Sequence, residues 1–526
     1  MITNINTPQV NYANKYKNNQ SFKGLETIPV AGLRLLSNSP AIGACAVDLG
    51  SMVIPRTAVD TKKRGVDAGI ETGIREASST VNHAAAGTVG MLAAIAASQG
   101  INSKYSGVSA NKIFANNDAI DVFKSFWTES GNDAKKYYEK ALSELEGLSG
   151  NVAGKKITNG ISEIADELAA APELTKDLKK SVVAKIIEQT GAENSFKIQS
   201  NGKEVADSID VILENMHALG KAFKTVGAEK LETFAGELKH VKTRSALLGL
   251  GITSLIGISI QPINTYLTKK RTGKAGFVGV DGREPDKTNG FKLMKLAAAA
   301  AMGTLAFKTI GKNPADVLNK IQFTSKLPNL NQFKLIYGMT IMSRFLSARD
   351  KNELRESTIK DFLGFANWLI LGGMVSKGVA RALGKGGELI NNPVAENGKK
   401  GIKYAWQWLT QSSVKSYDQV LLKEVADAGK NVLDANGKAL GFKSLMDIAD
   451  KATKVKVGKL ALAQVAGYLY SGFVLGVGIA KLNIFITGKV EKSKKDQSKP
   501  TNIDPSVKFY AQNSSQNKPV FSAIKG

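Results

Sequence analysis

Long charge-free runs, separated by polar and lysine-rich stretches, set the pattern of this chain. The run from Ser245 to Thr268, SALLGLGITSLIGISIQPINTYLT, holds 24 residues without a charge and ends against Lys269, Lys270 and Arg271. As a helix it would reach about 36 Å, enough for a bilayer core of about 30 Å. Pro262 is expected to kink or end it, leaving Ser245 to Gln261 as its secure part, about 25 Å long. A second run, Leu460 to Ala480, has 21 uncharged residues bracketed by Lys459 and Lys481. It predicts a helix of about 31 Å.

Shorter apolar runs leave more readings open. Pro40 to Ile54 reads as a helix ended by Pro55. Ala84 to Ser98 is uncharged over 15 residues, about 22 Å as a helix. It can be a packed hairpin partner, a span or an interfacial segment. Leu296 to Phe307 and Ile336 to Phe345, the latter carrying Arg344, suit buried or half-inserted helices. Phe362 to Ser376 would span if Lys360 and Lys377 snorkel to either side.

Small side chains recur at helical spacing inside these runs. Ala86, Gly90, Ala94 and Ser98 form one such face; Gly249, Thr253 and Gly257 form a second; Gly472 and Gly476 form a third. Faces of this kind let helix backbones approach closely. The 245–268 and 460–480 helices are therefore candidates to pack on each other or on a neighbouring copy, which leaves a homo-oligomer open.

The polar blocks differ among themselves. Gly100 to Thr243 contains 19 lysines and 21 acidic residues, whereas the whole chain carries +25. The entire positive excess therefore sits on the parts that flank the apolar runs. Ile209, Ile212, Leu213, Met216, Leu219 and Phe223 follow helical spacing. Ala134 to Leu148 and Ile161 to Gln189 read as further amphipathic helices, the second broken at Pro172. Phe196 to Val205 carries Asn201-Gly202 between extended arms and predicts a small β-hairpin. The neutral block reads as a soluble helical insert able to bind a protein partner.

The basic excess favours anionic partners, lipid headgroups first. Lys62, Lys63 and Arg64 are either a solvated turn or a headgroup contact, and Lys269, Lys270 and Arg271 are a second such group. Trp406 and Trp408 stand among lysines, as aromatic residues do at a membrane interface. Stacking on single-stranded nucleic acid fits the pair less well, because no recognition module surrounds it. The glycines of 272–290 and 384–387 miss the phosphate-loop spacing, and Asp434-Ala-Asn436-Gly437 misses the calcium-loop glycine position. One cysteine, Cys45, and three scattered histidines give no zinc pattern. No catalytic residue, cofactor or metal site is assigned.

The run Asn18-Asn19-Gln20-Ser21-Phe22-Lys23-Gly24 resembles a short Asn-rich, Phe-Lys-Gly tag on uncharacterised bacterial proteins. The resemblance implies a bacterial origin and no activity.

These patterns predict an all-α, membrane-associated protein with a soluble helical insert. The expected order is a disordered tail (1–30), a first apolar region (31–100), the insert (101–243), a second apolar region (244–382), a polar region (383–458), a membrane helix (459–488) and a disordered basic tail (489–526). The leading function is a non-enzymatic scaffold in a bacterial membrane, the cytoplasmic one first. A transporter or channel, a pore-forming effector and a soluble Ala/Gly-rich assembly are the alternatives. Nearly every loop beside an apolar run is basic, so the sequence does not orient the chain.

Overall fold

The computed structural model describes residues 30–37, 40–148, 155–190, 195–280, 284–324, 328–366, 372–391, 401–402, 404–405, 408, 412–434 and 440–497. Residues 1–29 and 498–526 of the expected tails, Trp368, Trp406 and most of the Asp434–Gly437 turn lie outside them, whereas 489–497, expected as the start of a disordered tail, continue the last helix.

The fold is all-α. Helix α1 (Pro40–Val47) runs into a π-helical segment (Asp48–Val53), then α2 (Ile54–Arg64) and α3 (Val66–Lys104). Pro55 does not end the first helix. It falls in the opening turn of α2, where its fixed φ suits the helix. The apolar 84–98 run is one part of α3, a helix of 39 residues that is about 58 Å long.

The block between α3 and the next long helix forms its own apolar core, from Ile101 to Val241. It contains α4 (Asn117–Glu129), α5 (Ala134–Ser143), α6 (Ile161–Ala170), α7 (Lys176–Thr190) and α8 (Ile209–Val226). Asn116, Asp133 and Ser208 cap α4, α5 and α8 by accepting from the first-turn N–H groups. Strand β1 (Glu146–Gly147) pairs with β2 (Ser195–Ser200), and β2 pairs antiparallel with β3 (Lys203–Ser208). Ser200 faces Lys203, so Asn201 and Gly202 make a two-residue turn, both with positive φ. Ile209, Ile212, Leu213, Met216, Leu219 and Phe223 are all buried, as their spacing requires.

Helix α9 (Leu231–Thr272) leaves the insert and carries the charge-free run. Pro262 neither ends it nor breaks its register. The carbonyl that Pro262 leaves unpaired one turn back, Ile258 O, accepts instead from Ser343 Oγ at 2.5 Å. Gly273, with φ 71°, terminates it.

The rest is α10 (Asn289–Ile310), α11 (Pro314–Lys320), α12 (Leu330–Leu346), α13 (Lys351–Ala366) and α14 (Gly372–Leu383). A short pair, β4 (Ile390–Asn391) with β5 (Ser413–Val414), leads to α15 (Tyr417–Asp427), α16 (Phe442–Ile448) and α17 (Lys451–Ser471). Helix α17 continues through a second π segment (Gly472–Gly478) into α18 (Ile479–Gln497). A second apolar core joins α14 to α17.

Among the described residues, four helical stretches are long and apolar enough to cross a membrane: Val66–Lys104, Ala228–Thr272, Asn289–Ile310 and Lys451–Lys494.

Candidate functional site

Helices α3 and α9 run antiparallel, and their paired residues act as a ruler. Asp67 meets Arg271, the Glu71 carbonyl meets Asn264, Asn82 meets the Thr253 carbonyl, and Lys104 meets Glu237. Midway, Gly90 and Gly249 touch; a Cβ on Gly249 would lie 3.0 Å from the Gly90 Cα. A Cβ on Gly90 would lie 2.1 Å from the Phe323 ring. Two of the small-residue faces thus meet each other: Ala86, Gly90 and Ala94 on one helix, Gly249, Thr253 and Gly257 on the other, all buried.

The third face has a different neighbour. A Cβ on Gly476 would lie 2.3 Å from Ser51 O, so the two π segments lie backbone to backbone. Gly472 is half-buried on the same side, nearest Ser51. The 460–480 helix therefore packs these glycines on the 48–55 segment, not on the glycines of α9.

Outward, α9 is apolar from Leu247 to Leu267. Leu247, Leu248, Ile252, Leu255, Ile256, Ile263, Tyr266 and Leu267 are exposed, and 33% of its apolar window is buried. Val81, Met91, Leu92 and Ile95 on α3 are exposed too, as are Leu293, Met294 and Leu296 on α10. Leu462, Leu469, Phe473, Leu482 and Phe485 add the 451–497 stretch. So many exposed large apolar side chains on the candidate membrane helices exceed the scattered single residues usual on a soluble monomer.

Inward, at the same level, the chain buries charge. Arg56, Arg64, Arg75, Arg344, Arg349 and Lys360 match Asp60, Glu71, Glu76, Glu353, Glu356 and Asp361 one for one. Arg344 stands at the centre: Nη1 donates to Asp361 Oδ1 at 2.6 Å and Nη2 to Glu76 Oε2 at 3.2 Å. Arg56 Nη1 lies 3.4 Å from the same Glu76 oxygen, while Arg75 Nε and Lys360 Nζ face Oε1 at 3.5 and 3.7 Å. Arg349 bridges Glu71 and Glu353, with Nε 2.9 Å from Glu353 Oε2. Arg64 Nη1 donates to Glu356 Oε2 at 2.8 Å and lies 3.6 Å from Asp60. Helix α18 closes the group: Asn483 Nδ2 donates to Glu356 O at 3.0 Å, and the Thr487 hydroxyl reaches the Glu356 carboxylate. The Phe277 ring sits 5.5 and 5.7 Å from the Arg64 and Arg349 guanidinium carbons. The crevice left among these side chains is about 20 Å³, room for about one water.

Beside the cluster, His83 Nδ1 lies 3.3 Å from Asp48 Oδ2, and its ring meets Tyr337 edge-on at 5.3 Å. Arg56 Nε donates to Leu475 O at 3.1 Å, inside the second π segment. Such segments shift the carbonyl ladder and are frequent at functional positions.

This arrangement ties helices together. Five of the six cations are arginines, whose charge is fixed. Every carboxylate named has a cation within 4 Å, and the crevice is too small for a solute. No cluster of three or more His, Cys, Asp or Glu side chains at metal distances occurs among the described residues.

The sequence-derived headgroup residues gather at one end of the ruler. Lys62 and Lys63 are exposed in the last turn of α2, and Lys269, Lys270 and Arg271 in the last turn of α9. Arg271 Nε lies 3.1 Å from Asp67, which begins α3, so both groups are at the end away from the insert. Arg64 departs from its neighbours, because it turns inward to Glu356. Trp408 lies elsewhere, half-buried, with Lys377 Nζ 5.3 Å and Arg381 5.7 Å from its ring centre.

Sequence reading missed the charge cluster, having singled out only Lys62, Lys63 and Arg64, as a solvated turn or a headgroup contact, from the charged 56–83 segment. One signal was present. Thr72, Glu76, Ser79 and His83 continue the face of Ala86, Gly90 and Ala94 at the same three-to-four spacing. A packing face that runs on into charge implies that the charge is buried with it.

In comparisons with known proteins, no family model, curated protein or solved structure matches the chain.

Proposed function

We propose that this chain is an integral membrane protein with a non-enzymatic scaffolding role. Its apolar helices sit in the bilayer, and its near-neutral insert stands in water as the module that binds a protein partner. The observation that carries this reading is the inverted polarity of α3 and α9 below the insert, apolar outside and charged within. In water such a surface would drive aggregation, whereas in hydrocarbon it needs no cover. A buried, balanced charge cluster then serves as the lock between helices, because an unpaired charge there is costly. The basic ends at 62–63 and 269–271 suit an anionic leaflet. Together with the N-terminal resemblance, they favour a bacterial cytoplasmic membrane. The test is expression followed by an alkaline carbonate wash of the membranes. Retention in the pellet is expected; full release into the soluble fraction rejects the reading.

A carrier is the second reading, favoured by ionisable side chains at the level of the apolar belt. The closed crevice argues for a lock instead. Solute flux in liposomes, absent from empty ones, would promote the carrier.

A further inference from the structure

One segment of the apolar half reaches back to the insert. It consists of α11 and the turn that follows, as far as Thr324. Its flanks are fixed among the apolar helices. Asn313 caps α11 by accepting from Asp316 N at 2.9 Å, and Val317 and Ile321 bury beside Ile310, Ile336, Ala86 and Leu250. From α12, Asn329 Nδ2 donates to Gln322 O at 3.1 Å and Gln332 Nε2 to Ile321 O at 3.0 Å. The opposite side grips the insert. Asn319 Nδ2 donates to the Asp118 carboxylate in the first turn of α4. Gln322, at 1% exposure, accepts from Asn117 N at 2.8 Å and donates to Thr243 Oγ1 at 3.1 Å. The Thr324 hydroxyl donates to Asp207 on β3. Between Gln322 and Thr324 stands Phe323, whose ring fills the space that two glycines leave at the α3–α9 crossing. A Cβ on Gly90 would lie 2.1 Å from that ring, and one on Gly249 3.3 Å.

A buried amide stripped of its partners is costly, so Gln322 follows Asn117 and Thr243 when the insert tilts. Phe323 is the next residue and moves with it. A ring wedged against two glycine backbones has no free space beside it. Packed contacts of this kind switch between arrangements instead of yielding smoothly. We infer that residues 313–324 are a strap that couples the stance of the insert to the crossing of α3 and α9. A partner docking on the insert thereby shifts Phe323 between the two long helices. The trigger, partner docking, rests on the function proposed above. The coupling does not, since it is measured with neither partner nor bilayer, and the two fail separately.

The experiment is hydrogen exchange of the purified full chain in maltoside detergent, followed peptide by peptide. Asp118→Ala combined with Asp207→Ala releases the strap from the insert side. Exchange over 86–94 and 247–253 should then rise about threefold or more, with 460–480 unchanged. Phe323→Ala releases the other side, and exchange over 117–121 and 203–208 should rise about as much. Should either variant fail to fold, Asp118→Ala alone and Phe323→Leu take their places with the same expectation. Asp133→Ala removes the cap of α5, away from the strap, and should leave 86–94 and 247–253 at the parent rate. Parent rates over 86–94 and 247–253 in the insert-side variant overturn the strap. Parent rates over 117–121 and 203–208 in the Phe323 variant also overturn it. An equal rise over 460–480, or in Asp133→Ala, means general loosening and overturns it as well.

Discussion

Helices α3 and α9 each pass through both halves of the molecule, and their side chains change habit on the way. Within the insert, Phe234, Leu238 and Val241 of α9 face an apolar core, and Glu232 and Lys239 face out to pair with Lys124 and Asp121. Twenty residues further on, Asn264 faces in and Leu255, Ile263 and Tyr266 face out. Among the described residues, no large hydrophobic side chain is exposed between Ile95 and Leu247. Ion pairs follow the same division. In the insert they lie on the surface, as in Lys135–Asp166, with 43% and 59% of each side chain exposed. In the lower half the central pairs are buried, as in Arg344–Asp361, at 2% and 1%, and only pairs away from that centre, such as Arg271–Asp67 at the end of the ruler, stay exposed. Surface pairs are worth little, whereas breaking a buried pair strands a charge. The same helices thus carry opposite polarities in the two halves.

Substitutions can break that contrast. The largest effect is expected from Arg344→Ala, which strands Asp361, takes one cation from Glu76 and should cost about 3–5 kcal/mol. It would be read as lost folded yield in detergent and a lower melting temperature. Replacing Arg344 and Asp361 together by Met and Leu should recover part of the loss. Next comes Leu255→Lys, at a position 65% exposed. In hydrocarbon it should cost about 2.5–3.5 kcal/mol and reduce the membrane-inserted fraction; in water it would change nothing. Gly90→Leu forces a side chain into Phe323 and should cost about 1–3 kcal/mol. Gly251→Ala, with nothing within 4 Å of its Cβ, is its neutral control in the same melting assay.

In the insert the effects are smaller. Gly202→Ala places a side chain at φ 75° and should lower the insert's thermal transition by about 1–2 kcal/mol equivalent, leaving membrane retention unchanged. Asp121 gives the least. Burial pushes its carboxyl up, but hydrogen bonds and charge from Lys203 and Lys239 outweigh that and hold it below the ordinary range. A lowered pKa in the folded state means stability is present above the unfolded value, about 3.9, and is lost as pH falls through the folded one. Asp121→Asn should remove that acid-side loss and cost under about 1 kcal/mol at neutral pH. An acid titration of ellipticity would check it.

Much of this was legible in the order of residues. The hairpin turn, the apolar face of α8 and the break near Pro172 follow from local rules of turn chemistry, periodicity and proline geometry. The prolines misled where tertiary contacts compensate them: Ser343 supplies the bond that Pro262 withholds, and no local rule reveals a partner 85 positions away. The charge cluster was hidden for the same reason. Arg344 and Glu76 are 268 positions apart, and a charged helical stripe looks alike whether it faces water or another stripe. The small-residue faces were visible, but their pairing was not, because spacing identifies a packing surface without naming its partner.

The most direct measurement compares one outward residue from each half. In a Cys45→Ser background, Leu255→Cys and Glu232→Cys would be placed in lipid nanodiscs, where both faces are open to water, and treated with a water-soluble maleimide. Glu232 has 84% of its side chain exposed. Its cysteine should react quickly, and the one at 255 should stay protected until the disc and fold are dissolved. Equal labelling rates at the two positions in the intact disc would mean that water, not lipid, covers α9, and the membrane reading would fall.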